Sequence, residues 1–263
     1  MGEKLKIIDT HFHIWDLNRQ NLPWLDDVKE LQASFSIDDY LKAYEDIDDI
    51  DFKGGVYVEV DSDNPYLEDE IIYDIKKNND KLLGVVARSE VSPSMRLPIF
   101  SIGVREPLHV DSSKRGRCLE DSFIEGIKEL SANKFTFDSC NRVDELGDLV
   151  KLMEKVPDAK VVLNHLGNVE SLSSDYKDNM KALAKFPNLY LKVSGYPTGD
   201  KKFVKELLQF IKETFSADKL MYASNWPVIK TYSNLKEHLS ILREEFYDNE
   251  DFFYNNAKRC YGL

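Results

Sequence analysis

This sequence predicts an α/β chain folded as a (β/α)8 TIM barrel, and three observations predict it. Eight short runs rich in β-branched residues alternate with segments whose apolar residues recur at helical spacing. Several of those runs end on His, Arg, Glu, Asp or Asn, and the C-terminal strand ends are where such barrels carry their chemistry. The 263 residues fit one barrel and no linker divides them, so residues 1–263 read as a single domain.

The first strand is Ile7-Ile8, entered from Leu5, and the polar run Asp9-Thr10-His11-Phe12-His13 begins where that strand is expected to end. Side chains alternate on an extended chain, so His11 and His13 point one way and Phe12 the other. A long loop over 14–35 carries Trp15, Pro23, Trp24 and Leu25, which suits a pocket wall or packing across the barrel end equally well. Ser36 reads as a helix N-cap, with Asp38 and Asp39 in the first turn and Tyr40, Leu41, Tyr44 and Ile47 at helical spacing. Gly54-Gly55 reads as a break before a second strand, 56–60, whose end carries Glu59 and Asp61.

Asn64-Pro65 opens a helix with Leu67, Ile71 and Ile75 on one face, and the third strand covers 82–87. The stretch 89–100 holds Pro93 and Pro98 and is too broken for a helix, so the barrel is expected to be slightly degenerate, with a shortened segment between strands three and four. Strand four, 101–105, ends in Arg105, and a helix over 122–132 leads to strand five, 134–137, followed by Asp138, Ser139 and Cys140. A helix over 143–156 precedes strand six, 160–165, which finishes at His165. Pro187 ends the next helix, 175–186, before strand seven, 189–193. Val204, Leu207, Leu208 and Ile211 mark a helix before strand eight, 219–223, and two helical stretches, 234–247 and 251–261, close the chain.

There are 47 acidic and 35 basic residues, a formal net charge of -12, and such a field repels nucleic acid and anionic membrane. A small-molecule substrate is the expected partner, and an anionic one would need a local cation, which makes pocket arginines informative. The three cysteines, Cys118, Cys140 and Cys260, are scattered without CxxC spacing and suit a reducing compartment. Met1 to Lys6 holds no apolar leader, Gly2 lacks the Ser or Thr of a myristoylation signal, and no apolar run approaches the roughly 20 residues of a membrane helix. The expectation is a cytoplasmic protein.

Polar strand-end residues form the candidate site: His11, His13, Glu59, Arg105, Asp138, His165 and Asn225. Paired imidazoles bind a metal ion, hold a polar substrate group, or cap a strand structurally. His109, just past strand four, is within reach of the rim, whereas His238 on a helix is expected to be exposed. Tyr73-x-x-x-Lys77 has the spacing of a short-chain dehydrogenase pair, but no GxGxxG loop precedes it.

The stretches Ile8-Asp9-Thr10-His11-Phe12-His13-Ile14-Trp15-Asp16, Leu22-Pro23-Trp24-Leu25, Gly103-Val104-Arg105, Phe137-Asp138-Ser139-Cys140, Leu163-Asn164-His165-Leu166-Gly167, Leu191-Lys192-Val193-Ser194-Gly195, Ser224-Asn225-Trp226-Pro227-Val228 and Asn256-Ala257 run nearly end to end. Together they resemble the amidohydrolase superfamily, in its amidohydrolase-2 branch of sugar lactonases and pyrone-dicarboxylate lactone hydrolases. The resemblance implies hydrolysis of a lactone. His11 and His13, with His165, match the family's pocket histidines, as carbonyl hydrogen-bond donors or as ligands of one divalent ion, zinc or manganese; a metal-free site is equally open. Arg105 matches an arginine that holds a substrate carboxylate, Asp138 lies with it on the substrate side, and Tyr196, Trp24 and Trp226 match pocket walls.

Two departures bear on mechanism. Strand eight in most relatives delivers an aspartate that takes a proton from water, and this chain has Asn225, which orients water but cannot deprotonate it. The base is then His165, Glu59, Asp9 or a metal-bound water. Strand five, with Asp138, Ser139 and Cys140, carries no histidine where metal-dependent relatives place a ligand. The alternatives are a metal-dependent decarboxylase of the same branch and a degenerate barrel that only binds a small acid or sugar.

Overall fold

The computed structural model describes residues 4–263; Met1-Gly2-Glu3, and with them the leader and Gly2 readings, lie outside the described residues. Eight parallel strands pair in chain order: β1 (Leu5–Phe12), β2 (Ile50–Val58), β3 (Leu82–Arg88), β4 (Gly103–Pro107), β5 (Thr136–Cys140), β6 (Val161–Leu163), β7 (Leu189–Val193) and β8 (Leu220–Tyr222). The ring is completed between β8 and β1. Thr10 Oγ1 donates to the Tyr222 carbonyl at 2.7 Å, Asn225 N donates to the His11 carbonyl at 2.8 Å, and His13 N donates to the Trp226 carbonyl at 2.7 Å. Outside lie α1 (Ile37–Glu45), α2 (Pro65–Asn78), α3 (Asp121–Ala132), α4 (Leu146–Lys155), α5 (Ser174–Leu183), α6 (Lys201–Thr214), α7 (Leu235–Phe246) and α8 (Asn256–Tyr261). No helix joins β3 to β4, as the two prolines require.

Local chemistry accounts for the helix starts. Ser36 accepts from Asp39 N while the Asp39 carboxylate accepts from Ser36 N, a reciprocal cap on α1. Asn64 accepts from Leu67 N with Pro65 in the first turn of α2. No helix among the described residues is long and apolar enough to cross a membrane.

Three expectations shift. Gly54-Gly55 does not break the chain before β2 but lies inside it, opposite a register irregularity in β1. The glycines are there for close approach: a Cβ on Gly55 would sit 2.3 Å from the Tyr40 hydroxyl and 2.9 Å from the Phe12 ring. Gly55→Ala is expected to lower unfolding stability by about 1–3 kcal/mol, the usual cost of forcing atoms into a filled core, measured by urea titration. The polar run after Ile8 continues β1 to Phe12 because its side chains serve the closing seam instead of solvent. His238 is fully buried, not exposed: Nε2 donates to the Ala223 carbonyl at 2.8 Å and the ring packs against Tyr196 and Tyr222.

Candidate active site

The strand ends at the C-terminal mouth turn sharply, and the turns aim the side chains. His165, Leu166, Gly167 and Asn168, which follow β6, all have φ between 52° and 72°, and Asn225 after β8 has φ 57°. Left-handed backbone costs non-glycine residues roughly 1–3 kcal/mol each, and such strain collects where position matters more than stability. Gly195 after β7 is forced by the same turn, since a Cβ there would lie 2.5 Å from the Cβ of His165.

Five of the sequence-predicted residues, His13, Trp24, Arg105, His165 and Asn225, line one cavity of about 260 Å³. His109, Cys140 and Asn168 line it too, and the sequence reading gave none of them a role. The signal for Cys140 was its place in the polar run after a strand; that it shares a cavity with His109, 31 residues earlier by number, appears only in three dimensions. A second, open cavity of about 1090 Å³ adjoins the first and shares Trp24, Asp61, His109 and Val110 with it.

The remaining predicted residues stand around this lining. Glu59 accepts from Arg105 Nε and from Asp61 N at 2.7 Å, while Arg105 Nη2 donates to the Glu59 carbonyl at 2.6 Å, so two of the guanidinium nitrogens are fixed by one residue. Asp138 accepts from Lys192 Nζ at 2.5 Å, Asn164 Nδ2 at 3.1 Å and the Tyr261 hydroxyl at 3.1 Å. Asp9 is saturated by His11 N, Ser224 N, and the hydroxyls of Tyr40, Tyr44 and Ser224. Trp226 packs against Phe35 and Tyr40, and Tyr196 is buried against His238 with an unpartnered hydroxyl. Lys192, fully buried on β7, is the other residue the sequence reading passed over, although its motif was quoted.

His11 and His13 do point the same way, with Nε2 atoms 3.0 Å apart and the His11 ring 4.4 Å from that of His165. Their tautomers follow from the partners. The Val58 carbonyl, 2.8 Å from His13 Nδ1, only accepts, so Nδ1 carries the proton and His13 Nε2 is bare. His11 Nε2 then donates to it, and His11 Nδ1 accepts from the ammonium of Lys192 at 3.4 Å. A directed chain runs from Lys192 through His11 and His13 to the backbone.

That chain tests the site for a divalent ion. Two Nε2 atoms at 3.0 Å are spaced for zinc at about 2.0–2.1 Å from each. To use both, His11 would have to carry its proton on Nδ1, facing the Lys192 ammonium. Among the described residues no carboxylate completes the set, because Asp138 is neutralised by Lys192, Glu59 by Arg105 and Asp61 by Arg88, and strand eight supplies an amide. Among the described residues no group of three or more His, Cys, Asp or Glu is placed to hold a metal ion. The donor set does not fit a firmly held ion.

Burial, with the nearby Arg105 charge, holds His13 down at about 3 from an ordinary 6.5. The same two causes push His165 well below its usual value, and burial followed by Lys192 does so for His11. All three imidazoles are therefore uncharged at neutral pH. Behind them, Glu68 of α2 is lifted from 4.5 to about 8 by burial and by the Glu59 charge. Its folded value lies above its unfolded one, so its contribution to stability is complete below about pH 4.5 and is lost as pH rises through about 8. Glu68→Gln is expected to flatten that slope in urea titrations across the range; an unchanged slope would count against a neutral buried Glu68.

A sequence profile of the amidohydrolase family Amidohydro_2 matches residues 106–263. The solved structure of amidohydrolase 2 from Bifidobacterium longum subsp. infantis is 41% identical, with a TM-score of 0.91 over 98% of this chain and 99% of that one. An amidohydrolase from Burkholderia multivorans solved with bound zinc shares the fold, at TM-score 0.85 and 18% identity over 98% of this chain and 99% of its own. The L-rhamnono-gamma-lactonase of Scheffersomyces stipitis is 25% identical over 99% of both chains. With the profile spanning more than half of the sequence and the 41% identical structure superposing along nearly all of it, this chain belongs to the amidohydrolase family Amidohydro_2.

Proposed function

We infer that this protein is a hydrolase that opens a lactone to a hydroxy acid, and that the cavity ringed by His13, Arg105, His165 and Asn225 is where it does so. Family membership and the full-length likeness to an L-rhamnono-gamma-lactonase support ester chemistry on a sugar-acid ring. The observation that carries the reading is the cavity itself. About 260 Å³ lies just under the roughly 300–1,000 Å³ of ordinary small-molecule pockets and suits one compact ring.

In this reading the Arg105 guanidinium, held by Glu59, faces the carbonyl and stabilises the oxyanion that forms as the ester is attacked, or grips a substrate carboxylate. Glu59 is thereby a positioning group rather than the base. His165, tied through Nδ1 to Ser194 Oγ at 2.9 Å, presents its other nitrogen to the substrate. Asn225 orients a hydroxyl or water, Trp24 forms a wall with its indole N–H committed to the Val60 carbonyl at 2.8 Å, and Asp138 keeps Lys192 charged beside His11. Tyr196 and Trp226 act through packing. The incomplete donor set favours lactone opening without a resident divalent ion and disfavours the decarboxylase alternative, which needs a full one.

The test is ring opening across sugar-acid lactones, including L-rhamnono-gamma-lactone and L-fucono-1,5-lactone, and pyrone carboxylates. Turnover of at least one sugar-acid lactone is expected, and it persists in EDTA. Silence across the panel would sink the reading; activity lost to EDTA and restored by zinc would overturn only the metal-free part. Asn225 favours one further reading, a barrel that binds without turnover, and there Asn225→Asp would raise hydrolysis instead of lowering it.

A further inference from the structure

The lactone reading leaves one chemical problem. His13 and His165, two of the imidazoles lining the cavity, are held too acidic to take a proton well near neutral pH, Asn225 has no basicity, and Asp9 is saturated. One pair in the cavity answers to it. Cys140, the last residue of β5, lines the same cavity as Arg105, His109, His165 and Asn225, and its sulfur receives Asn168 Nδ2 at 3.5 Å. Asn168 is itself anchored on the Asn141 carbonyl at 2.7 Å, so the donor on sulfur is fixed.

We propose that Cys140 is the nucleophile of this site, with His109 as its acid–base partner, and that it takes the acyl group of the substrate as a thioester. The proposal rests on the lactone reading for its substrate. The charged groups around the sulfur set its state. Burial alone would raise the thiol; the nearby charges of His109 and Arg105 outweigh burial and bring Cys140 from 9.0 down to about 7. His109 is raised in turn by the Cys140 charge. Cys118, by contrast, is pushed up to about 12 by burial, and Cys260 is raised further still.

The step balances. The thiolate adds to the lactone carbonyl, the C–S bond forms, and the oxyanion collapses to break the ring C–O bond. The departing oxygen takes the proton of the His109 imidazolium and becomes the hydroxyl of the ring-opened acyl chain. Water then adds to the thioester as His109 removes its proton, the C–S bond breaks, and thiolate and imidazolium are restored. The acid product releases its proton to solvent.

Iodoacetamide labelling of the whole protein across pH, read by peptide mass, tests the nucleophile without any substrate. Cys140 is expected to label with a midpoint near pH 7, shifted upward in His109→Asn, while Cys118 and Cys260 stay unlabelled. Acid quenching during turnover of L-rhamnono-gamma-lactone is expected to leave one lactone mass on Cys140, and p-nitrophenyl acetate to give a burst of one equivalent with acetyl on Cys140. Both adducts disappear in Cys140→Ser. A Cys140 that labels no faster than Cys118, or a Cys140→Ala enzyme with undiminished kcat, overturns the proposal. A burst with p-nitrophenyl acetate but no turnover of any lactone defeats the lactone reading and leaves the nucleophile standing.

Discussion

Lys192→Met is expected to lower unfolding stability by about 3–5 kcal/mol, the usual consequence of deleting one partner of a buried ion pair. Lys192 and Asp138 are both fully buried, and among the described residues the ammonium is the one cation in ion-pair contact with that carboxylate, whose other donors are the neutral Asn164 and Tyr261. Without Lys192 the carboxylate is charged and unpaired in the barrel interior. Urea titration at pH 7 reads this directly. Lys192→Met with Asp138→Leu should recover most of the loss, since an apolar pair of similar volume is often neutral against a buried ion pair. A single variant as stable as the parent would show that the pair is dispensable.

Arg105→Lys is expected to lower kcat/KM by about 10²–10³, the range found when one oxyanion donor is removed. Lysine keeps the charge but not the fork, and the fork is what Glu59 grips through Nε and Nη2. Glu59→Gln should lower kcat/KM less and leave the pH profile of the reaction in place, because Glu59 acts by orienting Arg105. A lost acidic limb in Glu59→Gln would instead make Glu59 the base. An Arg105→Lys enzyme with parental kinetics would remove Arg105 from the proposed mechanism altogether.

Both predictions involve side chains whose partners lie far away in sequence, and this separates what could be read from the chain and what could not. Alternating apolar runs, the Ser36 and Asn64 caps and the Pro93 and Pro98 interruption gave the barrel and its one irregular segment, because strand, helix and cap preferences act over a few residues. The rule that such barrels work at their C-terminal strand ends then pointed to His13, Arg105, His165 and Asn225. Their side chains do share a cavity, because parallel strands bring every C-terminal end to one mouth.

Local pattern says nothing about who neutralises whom. Glu59 and Asp138 have the same standing in sequence, yet one holds Arg105 and the other holds Lys192, and neither is free to act alone. His238 looked exposed on its helix and is buried against the Ala223 carbonyl. Cys140 and His109 were scattered residues until β4 and β5 paired and set Pro107 beside Cys140. Residue type and spacing decided the architecture and the rim; charge pairing, tautomer and nucleophilicity were decided by the closed ring, since each depends on distances of a few ångströms between residues that the chain itself keeps far apart.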